Sequence, residues 1–185
     1  MKIAVTGHRP SKLNNEYDMN GPCSEWIRLQ LRNLIKSKRA VNQMLQNLSP
    51  EGTPLDEITL ISGMALGVDM IFAELSLELN LPLIAAIPFV GQERVWKQHQ
   101  KDRYYQRLEN PLVVRQGVCE GGYAPWKMLK RNEWICDQLS RTDTLAAVWD
   151  GSDEGGTAHC VKYAQSKNVD IERINPFGYV QNRGI

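Results

Sequence analysis

The feature that most constrains this chain is an alternation. Six short apolar runs of strand length, at residues 3–6, 58–62, 83–87, 112–115, 145–149 and 169–174, are separated by longer segments of helical period. Four of the runs are nearly continuous in apolar residues, as expected where helices cover both faces of a parallel sheet. Ile27, Leu31, Leu34, Val41, Leu45 and Leu48 mark the apolar stripe of a first helix. The stretch Ser49-Pro50-Glu51-Gly52-Thr53-Pro54 ends it, because proline and glycine continue a helix only at a cost. Further helices are expected over 66–80, 92–108, 124–139 and 157–168.

Alternation of this kind calls for right-handed strand–helix–strand crossovers. The predicted fold class is α/β, a Rossmann-like open and mostly parallel sheet of about six strands with helices on both faces. One domain is expected over residues 1–185. Residues 10–22, rich in Asn and charge, read as a mobile loop, and 175–185 as a peripheral tail. A net charge of +1 provides no global basic field to draw the chain onto nucleic acid or membranes. The opening Met1-Lys2-Ile3-Ala4-Val5-Thr6-Gly7 lacks the apolar run of a signal peptide, and no stretch approaches a membrane span of about 20 apolar residues. Cys23, Cys119, Cys136 and Cys160 are far apart, with no C-x-x-C pair. Free thiols in a reducing cytoplasmic setting are therefore expected.

In an open parallel sheet, ligands sit beyond the carboxyl ends of the strands. Three of the runs end in unusual loops. The first is Thr6-Gly7-His8-Arg9-Pro10, where Gly7 permits close backbone approach and Thr6, His8 and Arg9 offer donors. Its plain alternative is a tight turn with a solvated Arg. The second is Ser62-Gly63-Met64-Ala65-Leu66-Gly67-Val68-Asp69, whose small residues would let helix-start N–H groups face an anion while Asp69 meets a ribose hydroxyl. The alternative there is Gly63 and Gly67 for close helix–strand packing, with Asp69 as a helix-dipole partner. It is neither G-x-G-x-x-G nor G-x-x-x-x-G-K-[ST], so neither a dinucleotide fingerprint nor a P-loop is present.

The third loop is Asp150-Gly151-Ser152-Asp153-Glu154-Gly155-Gly156-Thr157, where Thr157 is placed to cap a helix or bond a phosphate. Its acidic residues conflict with a bare phosphate. Arg131-Asn132 is a fourth candidate, since Arg clamps phosphate or carboxylate through two parallel bonds. Trp96, Tyr104 and Tyr105 suit stacking on a base, although core or interface packing is the preferred reading of such aromatics. His8, His99 and His159 lack paired metal-ligand spacing, and no G-x-S-x-G elbow is present, so no metal and no cofactor is expected.

Taken together, Gly7-His8-Arg9-Pro10, residues 62–69, Ile87-Pro88-Phe89, Gly91-Gln92-Glu93, Trp96, Arg131-Asn132-x-x-Ile135 and Val148-Trp149-Asp150-Gly151 leading to Gly155-Gly156-Thr157 resemble the SLOG superfamily. It includes the DNA-processing protein DprA and the LOG phosphoribohydrolases. The resemblance runs from about residue 1 to 165 and is nearest to the bacterial and phage branch that opens with Gly-His-Arg-Pro. Its candidate ligand-binding set comprises Thr6, Gly7, His8, Arg9, Ser62, Gly63, Met64, Ala65, Gly67, Asp69, Pro88, Phe89, Arg131, Asn132, Asp150, Gly151, Gly155, Gly156 and Thr157.

Against the LOG motifs M-H-x-R-K and P-G-G-x-G-T-x-x-E, Met128 and Arg131 match the first. Leu129 replaces its His, Asn132 its Lys, and Cys160 stands at the final Glu. The leading expectation is binding or sensing of a nucleotide-derived small molecule. The second is LOG-like cleavage of an N-glycosidic bond, with Arg131 the candidate catalytic residue and one of Asp150, Asp153 or Glu154 assisting. The third is DprA-like binding of single-stranded DNA, and nucleic acid ranks behind the small molecule as partner. The resemblance also implies a homodimer or larger homo-oligomer, formed through 92–108 or 24–48.

Overall fold

The computed structural model describes residues 1–48 and 57–181. Six strands form one sheet: β1 (Lys2–Gly7), β2 (Thr59–Ser62), β3 (Leu83–Ile87), β4 (Val113–Gly117), β5 (Thr144–Val148) and β6 (Asp170–Ile174). Their order is β4-β3-β2-β1-β5-β6, and every pairing is parallel. The sheet is thus the predicted Rossmann-like α/β arrangement, wholly rather than mostly parallel.

Period-two alternation explains the layering. Ile3, Val5, Leu60, Leu83, Ala85, Ala146 and Val148 enter one buried cluster with α1 (Pro22–Leu48), α2 (Val68–Glu78) and α3 (Gln98–Leu108). Ala4, Ile61, Ala86 and Leu145 enter another with α4 (Pro125–Asp137) and α5 (Gly156–Ser166). The four central strands are buried on both faces. The edges β4 and β6 expose Arg115, Asp170, Glu172 and Arg173, which blunts them against pairing with another chain.

Several boundaries differ from expectation. The helix expected from residue 92 starts at Gln98, because Gly91 (φ +83°) turns the chain. Lys97 is extended, and its N–H donates to Gln100 Oε1 at 3.0 Å. The helix expected from 66 starts at Val68, after Gly67 at φ +98°. In α1 the buried stripe runs Cys23, Ile27, Leu31, Ile35, while Val41, Leu45 and Leu48 are exposed. A 27-residue helix is about 40 Å long and overshoots strands of about 17 Å. The expected stop at 49–54 lies outside the described residues.

Residues 10–22 were expected as a mobile loop. A 3₁₀ turn (Pro10–Lys12) opens this stretch, and Leu13 and Met19 are buried in the core. Glu16 accepts the N–H groups of Cys23 (3.0 Å) and Ser24 (2.6 Å), capping α1. The segment after Asn175, expected at the periphery, packs Phe177 and Tyr179 against the first cluster and ends in α6 (Gly178–Gln181). Among the described residues no helix is long and apolar enough to cross a membrane.

Candidate functional site

From β1 the chain steps outward one way through β2, β3 and β4, and the other way through β5 and β6. The crevice between β1 and β5 is therefore the switch point at which such sheets bind ligands. A cleft of about 350 Å³ opens there. The three loops meet in it: Thr6–Gly7–His8–Arg9, Ala65–Leu66 with Asp69, and Glu154–Gly155–Gly156–Thr157. They are joined by Ser11, Lys12 and, from α4, Met128, Leu129, Arg131 and Asn132.

The loop at 62–69 is filled by protein. A Cβ on Gly63 would fall 1.0 Å from Arg131 Nη1, so the glycine makes room for the guanidinium. Arg131 Nη1 donates to Asp69 Oδ2 at 2.8 Å, with both side chains more than nine-tenths buried. Ser62 Oγ donates to the Asp69 carbonyl (2.6 Å) and accepts from Met64 N–H (3.1 Å), which holds Met64 at φ +57°. A Cβ on Gly67 would lie 2.7 Å from the His8 carbonyl, and one on Gly7 would lie 2.6 Å from Val68. The first turn of α2 is likewise occupied: Val68 N–H faces the His8 carbonyl at 3.5 Å, and Met70 N–H donates to Ala65 at 3.2 Å.

The loop at 150–157 is open at its far end. Among the described residues, chain neighbours and the helix's own backbone apart, nothing lies within 4 Å of a Cβ built on Gly155, and the nearest atom to one on Gly156 is Asn132 Nδ2 at 3.8 Å. Gly155 precedes α5 at φ +96° without a side-chain cap, so first-turn N–H groups of an 11-residue helix stand at the cleft. Asn132 Nδ2 donates to the Gly156 carbonyl (3.1 Å), fixing α4 to that turn.

The charges sort differently from their order in sequence. Asp150 and Asp153 do not line the cleft, and Glu154 does. Asp150 Oδ1 lies 3.0 Å from His8 Nε2, and Arg173 donates to the Asp150 carbonyl at 2.8 Å. Burial pushes the His8 imidazole below its ordinary value and outweighs the pull of Asp150, which leaves it neutral at pH 7. Burial pushes Asp150 up, but bonds from Ser152 and the nearby His8 outweigh it and bring the carboxyl down to about 2. Arg9 and Lys12 make no side-chain hydrogen bond or ion pair among the described residues, and Arg131 Nε is buried without a partner. The acidic conflict expected at this loop thus shrinks to Glu154; with Asp69 paired to Arg131, Arg9 and Lys12 are the cations left to face it.

Of the other predicted residues, Ser62, Gly63, Met64 and Gly67 stand behind the lining as its supports. Pro88 and Phe89 lie apart at the end of β3, where Phe89 packs edge-on to Tyr123 with centroids 5.5 Å apart. Asp150 and Gly151 belong to the start of the β5–α5 loop, outside the lining, where Asp150 faces His8 and Gly151 packs against Arg173. Ser11 and Lys12, which follow the first loop, Leu66, which lies inside the second, and Met128 and Leu129 on α4 are lining residues that the candidate set missed. Beside Arg131 on α4, Lys127 is buried and donates to the Gly122 carbonyl at 2.7 Å; Lys130 pairs with Glu133. The separated cysteines conceal a pair: Cys136 and Cys160, both buried, place their sulfurs 3.6 Å apart behind the cleft.

Comparison with known proteins agrees with the fold. The YpsA family model, described as the YspA SLOG family, matches residues 3–177. The uncharacterized SPbeta prophage-derived protein YoqJ of Bacillus subtilis is 33% identical over 106 residues, covering 50% of this chain and 59% of its own length. A UPF0398 protein of Brevibacillus brevis is 32% identical over 131 residues, covering 65% and 67%. One from Bacillus cereus is 26% identical over 181 residues, covering 95% and 88%. Among solved structures, DNA processing protein A (DprA) of Streptococcus pneumoniae superposes with a TM-score of 0.59 at 15% identity, over 99% of this chain and 56% of that one.

Proposed function

The chain belongs to the YspA SLOG family, and on that footing we propose that its cleft binds a nucleotide or nucleotide-derived small ligand. One observation carries the reading: the uncovered amino end of α5 faces the same cleft as the free cations Arg9 and Lys12 and the unpartnered Nε of Arg131. Helix N–H groups, a fixed guanidinium and mobile cations together favour a phosphate. Met128 and Leu129 supply an apolar wall for a sugar or base, and the volume lies within the range of small-molecule sites. Calorimetry against nucleoside mono- and diphosphates is expected to give saturable binding that weakens at least about tenfold in Arg9→Ala. Absence of heat at millimolar ligand removes the reading.

Cleavage of an N-glycosidic bond is the second reading, favoured by Glu154 and Arg131 lining one cleft. In the LOG comparison, the carboxylate position is Cys160, which is 1% exposed and outside the lining. Glu154 is then the carboxylate that would serve. Release of free base from nucleoside monophosphates, lost in Glu154→Gln while binding persists, would establish turnover. Single-stranded DNA ranks third, because Lys127 and Lys130 are committed to protein partners. A second copy of the chain is the proposed macromolecular partner, and a monomer by light scattering at high concentration removes it.

A further inference from the structure

A second cavity, of about 500 Å³, lies on the other side of the loop after β1. It shares Arg9, Ser11 and Leu66 with the first, so the two are compartments of one groove with Arg9 at the junction. Its other walls are mainly aromatic and apolar (Pro10, Tyr17, Val95 and Trp96), with Lys97 and Gln100 as the polar members. Trp96 is held edge-on by Tyr104, with centroids 5.4 Å apart at 82°, and Tyr104 is itself fixed by Gln92 Nε2 at 3.2 Å. Tyr17 and Val95 complete the surface at 42% and 93% exposure. Among the described residues neither Glu nor Asp lines it.

We propose that this second cavity is a subsite for the far half of the ligand: a ring-bearing group joined through a pyrophosphate to the nucleotide held in the first cleft. The inference rests on the nucleotide-binding reading and deepens it. Charge supports the choice of ligand. Across both compartments four cations (Arg9, Lys12, Lys97 and Arg131) face two carboxylates (Asp69 and Glu154), leaving two positive charges with His8 neutral. A pyrophosphate diester carries two negative charges, and at the junction it meets Arg9. A planar ring beyond it meets the immobilised face of Trp96 and the free ring of Tyr17, as bases meet aromatic side chains elsewhere.

Titration of adenosine and guanosine monophosphates against the corresponding P1,P2-dinucleoside diphosphates tests this. The dinucleoside compound of at least one series is expected to bind at least about tenfold more tightly than its monophosphate. Val95→Glu, which places a carboxylate in the second cavity alone, and Tyr17→Ala are each expected to abolish that gain while leaving monophosphate affinity within about twofold. Monophosphate binding with no gain for either dinucleoside compound, or a gain that survives both substitutions, overturns the subsite and leaves the first cleft standing. Binding of none of the four compounds overturns both.

Discussion

The loops at 62–69 and 150–157 resemble each other in sequence: each follows a buried strand, carries two or more glycines and leads into a helix of 11 residues. They differ in what occupies the space that the missing side chains leave. Around Gly63 and Gly67 that space holds the Arg131 guanidinium and the His8 carbonyl; around Gly155 and Gly156 it holds no protein atom closer than 3.8 Å. Glycine in a strand–helix loop therefore has two physical uses. It lets protein approach protein, or it keeps a surface clear. Only the second leaves helix N–H groups for a ligand, and here the two uses sit side by side in one cleft.

The largest expected effect breaks this comparison most directly. Gly63→Ala must displace the guanidinium that neutralises buried Asp69, and losing a buried ion pair costs up to about 3–5 kcal/mol. Gly156→Ala meets nothing closer than 3.8 Å and lies inside α5, so it leaves stability unchanged or raises it by up to about 1 kcal/mol. Urea denaturation measures both. Ligand affinity should reverse the ranking among folded proteins, with Gly156→Ala weakening it. Equal stability losses at the two positions would mean that the loops are not divided as described.

How far this division was legible in sequence depends on the range of the interactions. The central strands were readable because burial on both faces leaves continuous apolar runs; the charged 112–115 and 169–174 runs prove to be the sheet's edges. Loops at strand ends were readable for the same reason. What fills them was not. The Asp69–Arg131 pair joins residues 62 positions apart, and Cys136 meets Cys160 across 24; no periodicity encodes either contact. Lys127 looks like a surface charge, and only the fold bends the 120–122 carbonyls onto it. Pro88 and Phe89, adopted through resemblance alone, have no place in the lining.

A smaller contrast sharpens the comparison at similar φ. Gly67 and Gly155 have nearly the same φ, +98° and +96°, with ψ at −131° and 176°, so an alanine is strained at either position by about 1–3 kcal/mol. At Gly67 the new Cβ also approaches the His8 carbonyl to 2.7 Å, whereas at Gly155 it enters open space. Thermal melts are expected to rank Gly67→Ala below Gly155→Ala by a further 1 kcal/mol or so. The margin reports packing added to backbone strain, and its absence would assign both glycines to conformation alone.

The smallest effect is in pH, and it belongs to the 150 end of the open loop. Burial lowers the His8 pKa from 6.5 even with Asp150 beside it. As pH falls below 6.5, the unfolded chain takes up a proton that the folded chain refuses, so stability declines with falling pH by at most about 1.4 kcal/mol per unit. Asp150 adds a second decline between 3.8 and about 2, where its carboxyl is ionised in the folded state and protonated in the unfolded one. That second loss is modest, since the Asp150 side chain is 35% exposed. Melting temperatures taken from about pH 7.5 down to 5.5 should fall less in His8→Gln than in the parent. The fall should be at least as large in Asp150→Asn, where nothing offsets the cost of charging the buried ring. Gly67→Ala should keep the parent's slope. If it flattens the slope as His8→Gln does, the two loops respond to protons as a single unit, and the boundary drawn between them at the β1 turn is misplaced.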